Sequence, residues 1–422
     1  MLGKTFLSGK KTFDKATLLL LLCWVVYACS YIGKLSFSAN INQIGAAYNE
    51  SYARTGMVST FFFFAYGIGQ IVNGFLCKKY HMKLMVFAAL LVGGAMNVLV
   101  AFSPSFSLLK YFWLINGVAM SFLWPIFVRL LSETMKKENI GKAIIAMGTT
   151  VAAGTLLVYG FSAFFAAFLD YRYTFCVAAI SLFIISLVWL FSYDFLVTDL
   201  KKECEMEEKE EREAEKDQKG SGLVLTKKML GILVCVLAFF AVSNNFIKDG
   251  LTAWTPDILS SLYNTPGWLS ILLTLLLPLL AIPGTVLAVK LYDFVKDFIG
   301  TCTFLFFVSA LLMAVVIACL GGSYSALVVT IASFSLISAL MAGVNNVIGS
   351  MVPLYLKGQV NSGKLAGILN GFCYAGSTVS SYGLGAVADH FGWKAVFFVL
   401  LGVTACVIAV GVIYRLVFGK TA

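Results

Sequence analysis

Tyr27-Ala28-Cys29-Ser30-Tyr31-Ile32-Gly33-Lys34-Leu35-Ser36-Phe37-Ser38-Ala39-Asn40 closes the first long apolar run of the chain and sets a lysine inside it. A charge at that depth costs roughly 2.5 kcal/mol or more on insertion scales, so it faces a cavity or a partner rather than lipid tails. A second embedded lysine comes in the seventh apolar run, Phe246-Ile247-Lys248-Asp249-Gly250. The two read as the charged ends of one central binding site.

Composition sets the class. The chain has 422 residues, of which 60% are hydrophobic and 12% charged. Its mean hydropathy is +0.89. No water-soluble globular protein needs so apolar a sequence, which makes this an all-α polytopic membrane protein. Thirty-six Phe and 37 Gly fit helices packed closely in lipid. Lys4, Lys10, Lys11 and Lys15 precede the first apolar run, and no small-residue cleavage site follows it. That run is expected to stay as a span. Eight of the ten cysteines lie within apolar runs without metal-type clustering, and read as small packing residues.

Twelve spans, each near the ~20 residues needed to cross, fall at about 16–41, 55–77, 84–102, 107–131, 141–167, 172–195, 229–261, 268–291, 298–319, 324–352, 363–387 and 393–417. With the N-terminus in the cytoplasm, Arg54, Lys110, Arg172 and Lys394 are outside, and Lys34 and Lys248 are in the membrane. Of 31 Lys and Arg, those four and those two leave 25 on the cytoplasmic side. The positive-inside bias thus places both termini in the cytoplasm. The net charge of +10 is explained by topology, with no nucleic acid invoked.

Residues 1–195 read as one six-helix bundle and 229–422 as a second. Between them, 196–228 breaks the apolar pattern, and its core Lys201–Lys219 holds eight Glu, one Asp and six Lys or Arg. It reads as a solvated cytoplasmic linker. The halves echo each other in chain order: Lys34 and Lys248 are 214 apart, Gly67 and Gly284 are 217, and the Tyr171-Arg172 and Trp393-Lys394 openings are 222. Such offsets argue for parallel duplication, with a solute site near the midplane between the repeats. Glycines recur along spans five and eleven, and Pro125, Pro278 and Pro283 lie inside spans, where they can kink a helix.

The embedded charges are few. Asp249 reads as the only carboxylate well inside a span, and adjacency to Lys248 on a helix argues against direct pairing of the two. Lys34 lies about 25 Å along its helix at 1.5 Å per residue. Tyr27 and Tyr31, seven and three residues before Lys34, share its helical face. Tyr66, Gln70 and Asn73 line one face of span two, and Asn345, Asn346, Asn370 and Tyr374 dot spans ten and eleven. Tyr and Asn can hydrogen-bond hydroxyls of a sugar or polyol, or another helix. There is no Walker A loop, nucleophile elbow or metal-spaced His/Cys set. Catalytic residues, a cofactor and a metal site are therefore not expected, and a gradient must drive any transport.

Several motifs together resemble the major facilitator superfamily, and more specifically its organophosphate:phosphate antiporters, over nearly the whole chain. They are Tyr31-x-x-Lys34-x-x-Phe37, Ala65-Tyr66-Gly67 leading to Gly74, and Gly117 with Trp124-Pro125 and Arg129. Gly250-x-x-x-Trp254-x-Pro256 and Ile282-Pro283-Gly284-Thr285 follow. Ala366-Gly367 with Tyr374, and Asp389-x-Phe391-Gly392-Trp393, complete the set. The resemblance implies a twelve-helix fold of two pseudo-symmetric bundles. It places the family's two phosphate-holding arginines on Lys34 and Lys248, which keeps the charge and loses the bidentate fork. The family's helix-five histidine falls on Thr149, a helix-two lysine on Gln70, and a helix-seven aspartate on Ala253.

The expectation is a monomeric carrier in the cell inner membrane that exchanges a sugar or polyol phosphate for inorganic phosphate. Lys34, Lys248, Tyr31, Tyr27, Tyr66, Gln70, Thr149, Trp124, Asp249 and Tyr374 are its candidate substrate-binding residues. Proton-coupled transport of a sugar, carboxylate or drug through Asp249, and a sugar-phosphate sensor without transport, are the alternatives.

Overall fold

Lipid tails offer no hydrogen bonds, so a chain this apolar must satisfy its backbone internally. A computed structural model describes residues 14–76, 79–214, 227–321, 323–356, 359–360 and 362–419, and among these the regular structure is entirely helical. Lys4, Lys10, Lys11 and the 215–226 part of the charged stretch lie outside the described residues.

The first bundle comprises α1 (Lys15–Ala39), α2 (Ile41–Tyr48), α3 (Tyr52–Leu76), α4 (Met82–Ala101), α5 (Phe106–Met120), α6 (Leu123–Thr134), α7 (Lys137–Phe168) and α8 (Arg172–Ala214). The second comprises α9 (Lys227–Tyr263), α10 (Gly267–Thr274), α11 (Leu276–Val295), α12 (Phe298–Ala318), α13 (Tyr324–Asn346), a π-helical turn at Val347–Met351, α14 (Val352–Tyr355), α15 (Ser362–Phe391) and α16 (Trp393–Phe418). The helix of span six runs on to Ala214, well into the charged stretch.

Among the described residues, 11 helical segments are long and apolar enough to cross a membrane. The twelfth element, α15, has the length but buries polar side chains, with Ser377, Ser380 and Ser381 at 0 to 2% exposure. It packs between α3 of one bundle and α9 of the other, with Phe372, Val379 and Tyr382 on an exposed face. Large apolar side chains such as Phe64, Phe164, Phe191 and Phe398 point outward, where lipid would cover them. The three helices approach closely because the contact points lack side chains. A Cβ on Gly56 of α3 would strike the Ser381 carbonyl of α15, and one on Gly376 of α15 would strike the Val242 carbonyl of α9. Gly148, Gly160 and Gly367, from the same glycine rows, have open space beside them.

Two prolines create links between helices. Proline has no N–H, so the carbonyl four residues back loses its helical partner. Pro125 frees the Ser121 carbonyl between α5 and α6, and Gln70 Nε2 donates to it at 3.2 Å. Pro256 frees the Thr252 carbonyl in α9, and the Tyr159 hydroxyl of α7 donates to it at 3.1 Å, from the other bundle.

At the end where α1 begins and α16 ends, charges tie α8 to its own bundle. Lys15 meets Asp199, Lys83 meets Asp194, and Glu133 takes both Arg129 and Lys201. At the opposite, far end the two bundles meet. Asn42 Nδ2 donates to Ser260 Oγ at 3.1 Å, and the Tyr52 hydroxyl lies 3.2 Å from Ser261 Oγ. The Asp389 carboxylate accepts from the Tyr52 and Ala53 N–H groups at 3.0 and 2.8 Å, filling the open N-terminus of α3 from α15.

Candidate functional site

Lys34 sits where α1 is held most firmly. The Gly33 carbonyl beside it accepts from Asn97 Nδ2 of α4 at 3.1 Å and Asn116 Nδ2 of α5 at 3.0 Å. Ser36 Oγ donates back to Asn97 Oδ1 at 2.8 Å. Across the helix, Gly154 of α7 lets Tyr31 press in, and a Cβ there would collide with the Tyr31 Cβ.

The Lys34 side chain is 4% exposed and its Nζ has no hydrogen-bond partner. Three tyrosine faces surround it instead, with ring centroids 4.3 Å (Tyr27), 4.0 Å (Tyr31) and 5.4 Å (Tyr66) from Nζ. Cation–π attraction supplies ~2 kcal/mol where the cation is desolvated. It leaves three N–H donors unfilled. The ammonium does not reach a lipid headgroup, and it lacks a counter-ion among the described residues. Trp124 backs the cage, its ring 5.3 Å from Tyr27.

Lys248 is arranged differently. Its Nζ lies 3.4 Å from Asp249 Oδ1. This corrects the expectation that adjacent residues would not pair. They point about 100° apart on a helix, but a lysine stem is long enough to bend across, and the carboxylate is fixed. Asp249 Oδ2 accepts from Ser377 Oγ of α15 at 2.5 Å and from Asn245 Nδ2 at 3.0 Å. Asn245 also donates to Ser377 Oγ at 3.2 Å.

The two lysine environments adjoin through Tyr374. Its ring packs on Tyr66 with centroids 4.6 Å apart, and it lies one turn before Ser377 on α15. Asp249 is close enough to Tyr31, Tyr159 and Tyr374 to interact with them electrostatically. The fold therefore brings Tyr27, Tyr31, Lys34 and Tyr66 of the first bundle towards Lys248, Asp249 and Tyr374 of the second. Gln70 is spent on Ser121 and on Asn370, whose Nδ2 donates to its Oε1 at 3.4 Å. Thr149 is exposed and accepts from Trp24 Nε1 at 2.9 Å, one turn before Tyr27.

Several residues here carried no sequence signal. Asn97, Asn116, Asn245, Ser377 and Tyr159 act across helices, and a contact between helices leaves no period along the chain. Asp257 corrects the inventory: Asp249 read as the only embedded carboxylate, yet Asp257 lies in the same helix and is 1% exposed. Its place near the expected end of the span hid it.

The family model described as Major Facilitator Superfamily matches residues 23–362. Among curated proteins, 158 residues are 27% identical to the membrane sensor protein UhpC of Escherichia coli, covering 34% of this chain and 35% of that protein. The chain thus matches about a third of the sensor's length. The probable hexose phosphate transport protein of Chlamydia pneumoniae is 23% identical over 398 residues, 90% of this chain and 86% of that one. Among solved structures, a bacterial homolog of the human lysosomal transporter Spinster, inward-facing and occupied, superposes with TM-score 0.74 at 12% identity, over 98% of this chain and all of the other. A D-xylose–proton symporter superposes with TM-score 0.73 at 14% identity, over 94% and 97%. At such identities the superpositions speak for the fold alone.

Proposed function

Because the chain belongs to the major facilitator superfamily of membrane transporters, we propose that it moves a small organic anion, a sugar or polyol phosphate, in exchange for inorganic phosphate by alternating access. The observation that carries this reading is Lys34, a buried ammonium with no hydrogen-bond partner in a cage of first-bundle tyrosines, one of which packs on Tyr374 of the second bundle. Such a charge is costly until an anion fills its donors. Lys248 supplies the second cation, and the anion would compete with Asp249 for it. Tyr27, Tyr31, Tyr66 and Tyr374 supply hydroxyls to the solute's polar body. Asp249 already holds Lys248, Ser377 and Asn245.

The printed name of the Chlamydia pneumoniae relative, aligned along most of both chains, supports the hexose-phosphate class. On the same reading the chain lies in the cell inner membrane as a monomer, with bundles 1–195 and 229–422 joined by the charged 196–228 stretch and both termini in the cytoplasm, an orientation supported by the positive-inside bias of its loops.

Thermal stabilisation of the purified protein tests the solute class. Inorganic phosphate and hexose phosphates are expected to raise the melting temperature and neutral hexoses are not, and Lys34→Gln loses the shift. Equal stabilisation by neutral sugars contradicts the reading. The partial similarity to a membrane sensor favours a second possibility, binding without transport. Solute counterflow in proteoliposomes separates the two.

A further inference from the structure

The seam at the far end encloses a carboxyl group that the anion site does not use. Asp257 follows Pro256 on α9, one turn after Trp254. It is 1% exposed and its Oδ2 has no hydrogen-bond partner. Asn42, on α2 of the other bundle, reaches this carboxyl with its amide and also donates to Ser260, one turn further on. Trp254 packs against Tyr52 of α3 and Trp393 of α16 at 6.0 and 5.6 Å between centroids, and its Nε1 is also unpartnered. The carboxyl therefore lies where α2 and α3 close on α9.

The titratable groups at this end are committed elsewhere or point outward. Tyr52 meets Ser261, Asp389 holds the N-terminus of α3, Arg54 meets Glu50, and Tyr263 of α9 lies 2.6 Å from Thr330 of α13. His390 of α15 and Lys394 of α16 are exposed, and α10 carries no titratable side chain. Among the described residues none of these pairs with Asp257.

A carboxylate ion sealed here without a counter-charge costs several kcal/mol, and the neutral acid avoids most of that cost. We propose that Asp257 is a proton-binding site built into the far-end seam. Its carboxylate takes one proton from the aqueous phase as the bundles close there, and returns it to water as they part. The closed state holds the extra proton, so it gains as pH falls and loses as pH rises. With one proton linked, the ratio of closed to open changes by at most about tenfold per pH unit. This adds a proton-linked step to whichever solute the chain handles.

The test needs no solute, so its failure leaves the anion site standing. The full chain carrying Ser260→Cys, a half-buried seam position that faces Asn42 of the other bundle, is placed in lipid nanodiscs and treated with a membrane-impermeant maleimide across a range of pH. Mass spectrometry follows the peptide bearing residue 260. Rates are divided by those of Tyr324→Cys, an 81% exposed position, to remove the effect of thiol ionisation. The normalised rate is expected to rise with pH by up to about tenfold per unit. It stays low and flat with Asp257→Asn, which mimics the neutral acid, and Asp257→Glu, which can still titrate, keeps a pH response. A flat profile with Asp257 present overturns the proposal. So does an unchanged pH response in Asp257→Asn, or its loss in a folded Asp257→Glu.

Discussion

A lysine ammonium enclosed by three tyrosine rings and one paired with its neighbour's carboxylate are not equivalent, although their spacing in the sequence pairs them as counterparts. Lys34 presents an uncompensated charge, and Lys248 in the proposed site shares its charge between Asp249 and the anion. Asp249→Asn removes the competitor and is expected to tighten phosphate binding several-fold, read from the ligand dependence of thermal unfolding. Unchanged or weaker binding would mean that Lys248 does not reach the anion. The ring contacts of Tyr27 and Tyr31 with Lys34 were legible, because spacings of seven and three residues place side chains on one helical face. The third ring, Tyr66, comes from another helix. The Asn97 and Asn116 bonds to the Gly33 carbonyl join residues 64 and 83 apart in sequence.

At the scale of the element, a proline's position is plain in the sequence, and the group that answers it is not. Tyr159 answers Pro256 through the Thr252 carbonyl. Tyr159→Phe is expected to destabilise the protein by ~1–3 kcal/mol, the cost of a buried carbonyl left unpaired. In a Pro256→Ala background the helix can satisfy that carbonyl itself, so the cost should largely vanish. Additive effects in this double-mutant cycle would refute the link. Glycine rows show a similar divide. Gly376→Ala drives a Cβ into the Val242 carbonyl and is expected to cost ~1–3 kcal/mol in thermal unfolding. Gly148→Ala meets open space and should be neutral or mildly stabilising. The repeat of small residues was readable, but which of them sit at a crossing depends on how neighbouring helices are rotated.

For the whole molecule, hydropathy and charge asymmetry were enough for a bundle of spanning helices, because lipid leaves so few alternatives. What they could not reveal is how the bundles hold each other. Asp389 reads as a loop residue, yet it caps α3 across the seam. Asp389→Ala is expected to raise far-end maleimide labelling at the half-buried Ser260→Cys several-fold at constant pH, and no change would mean that this cap does not hold the bundles together. The central claim is that Lys34 and Lys248, from opposite bundles, hold one anion during exchange. Counterflow of labelled inorganic phosphate into proteoliposomes loaded with hexose phosphate measures it most directly. The unsubstituted protein should exchange the two, and Lys34→Gln and Lys248→Gln should each abolish exchange while remaining folded in the membrane; undiminished exchange in both substituted proteins would contradict the claim.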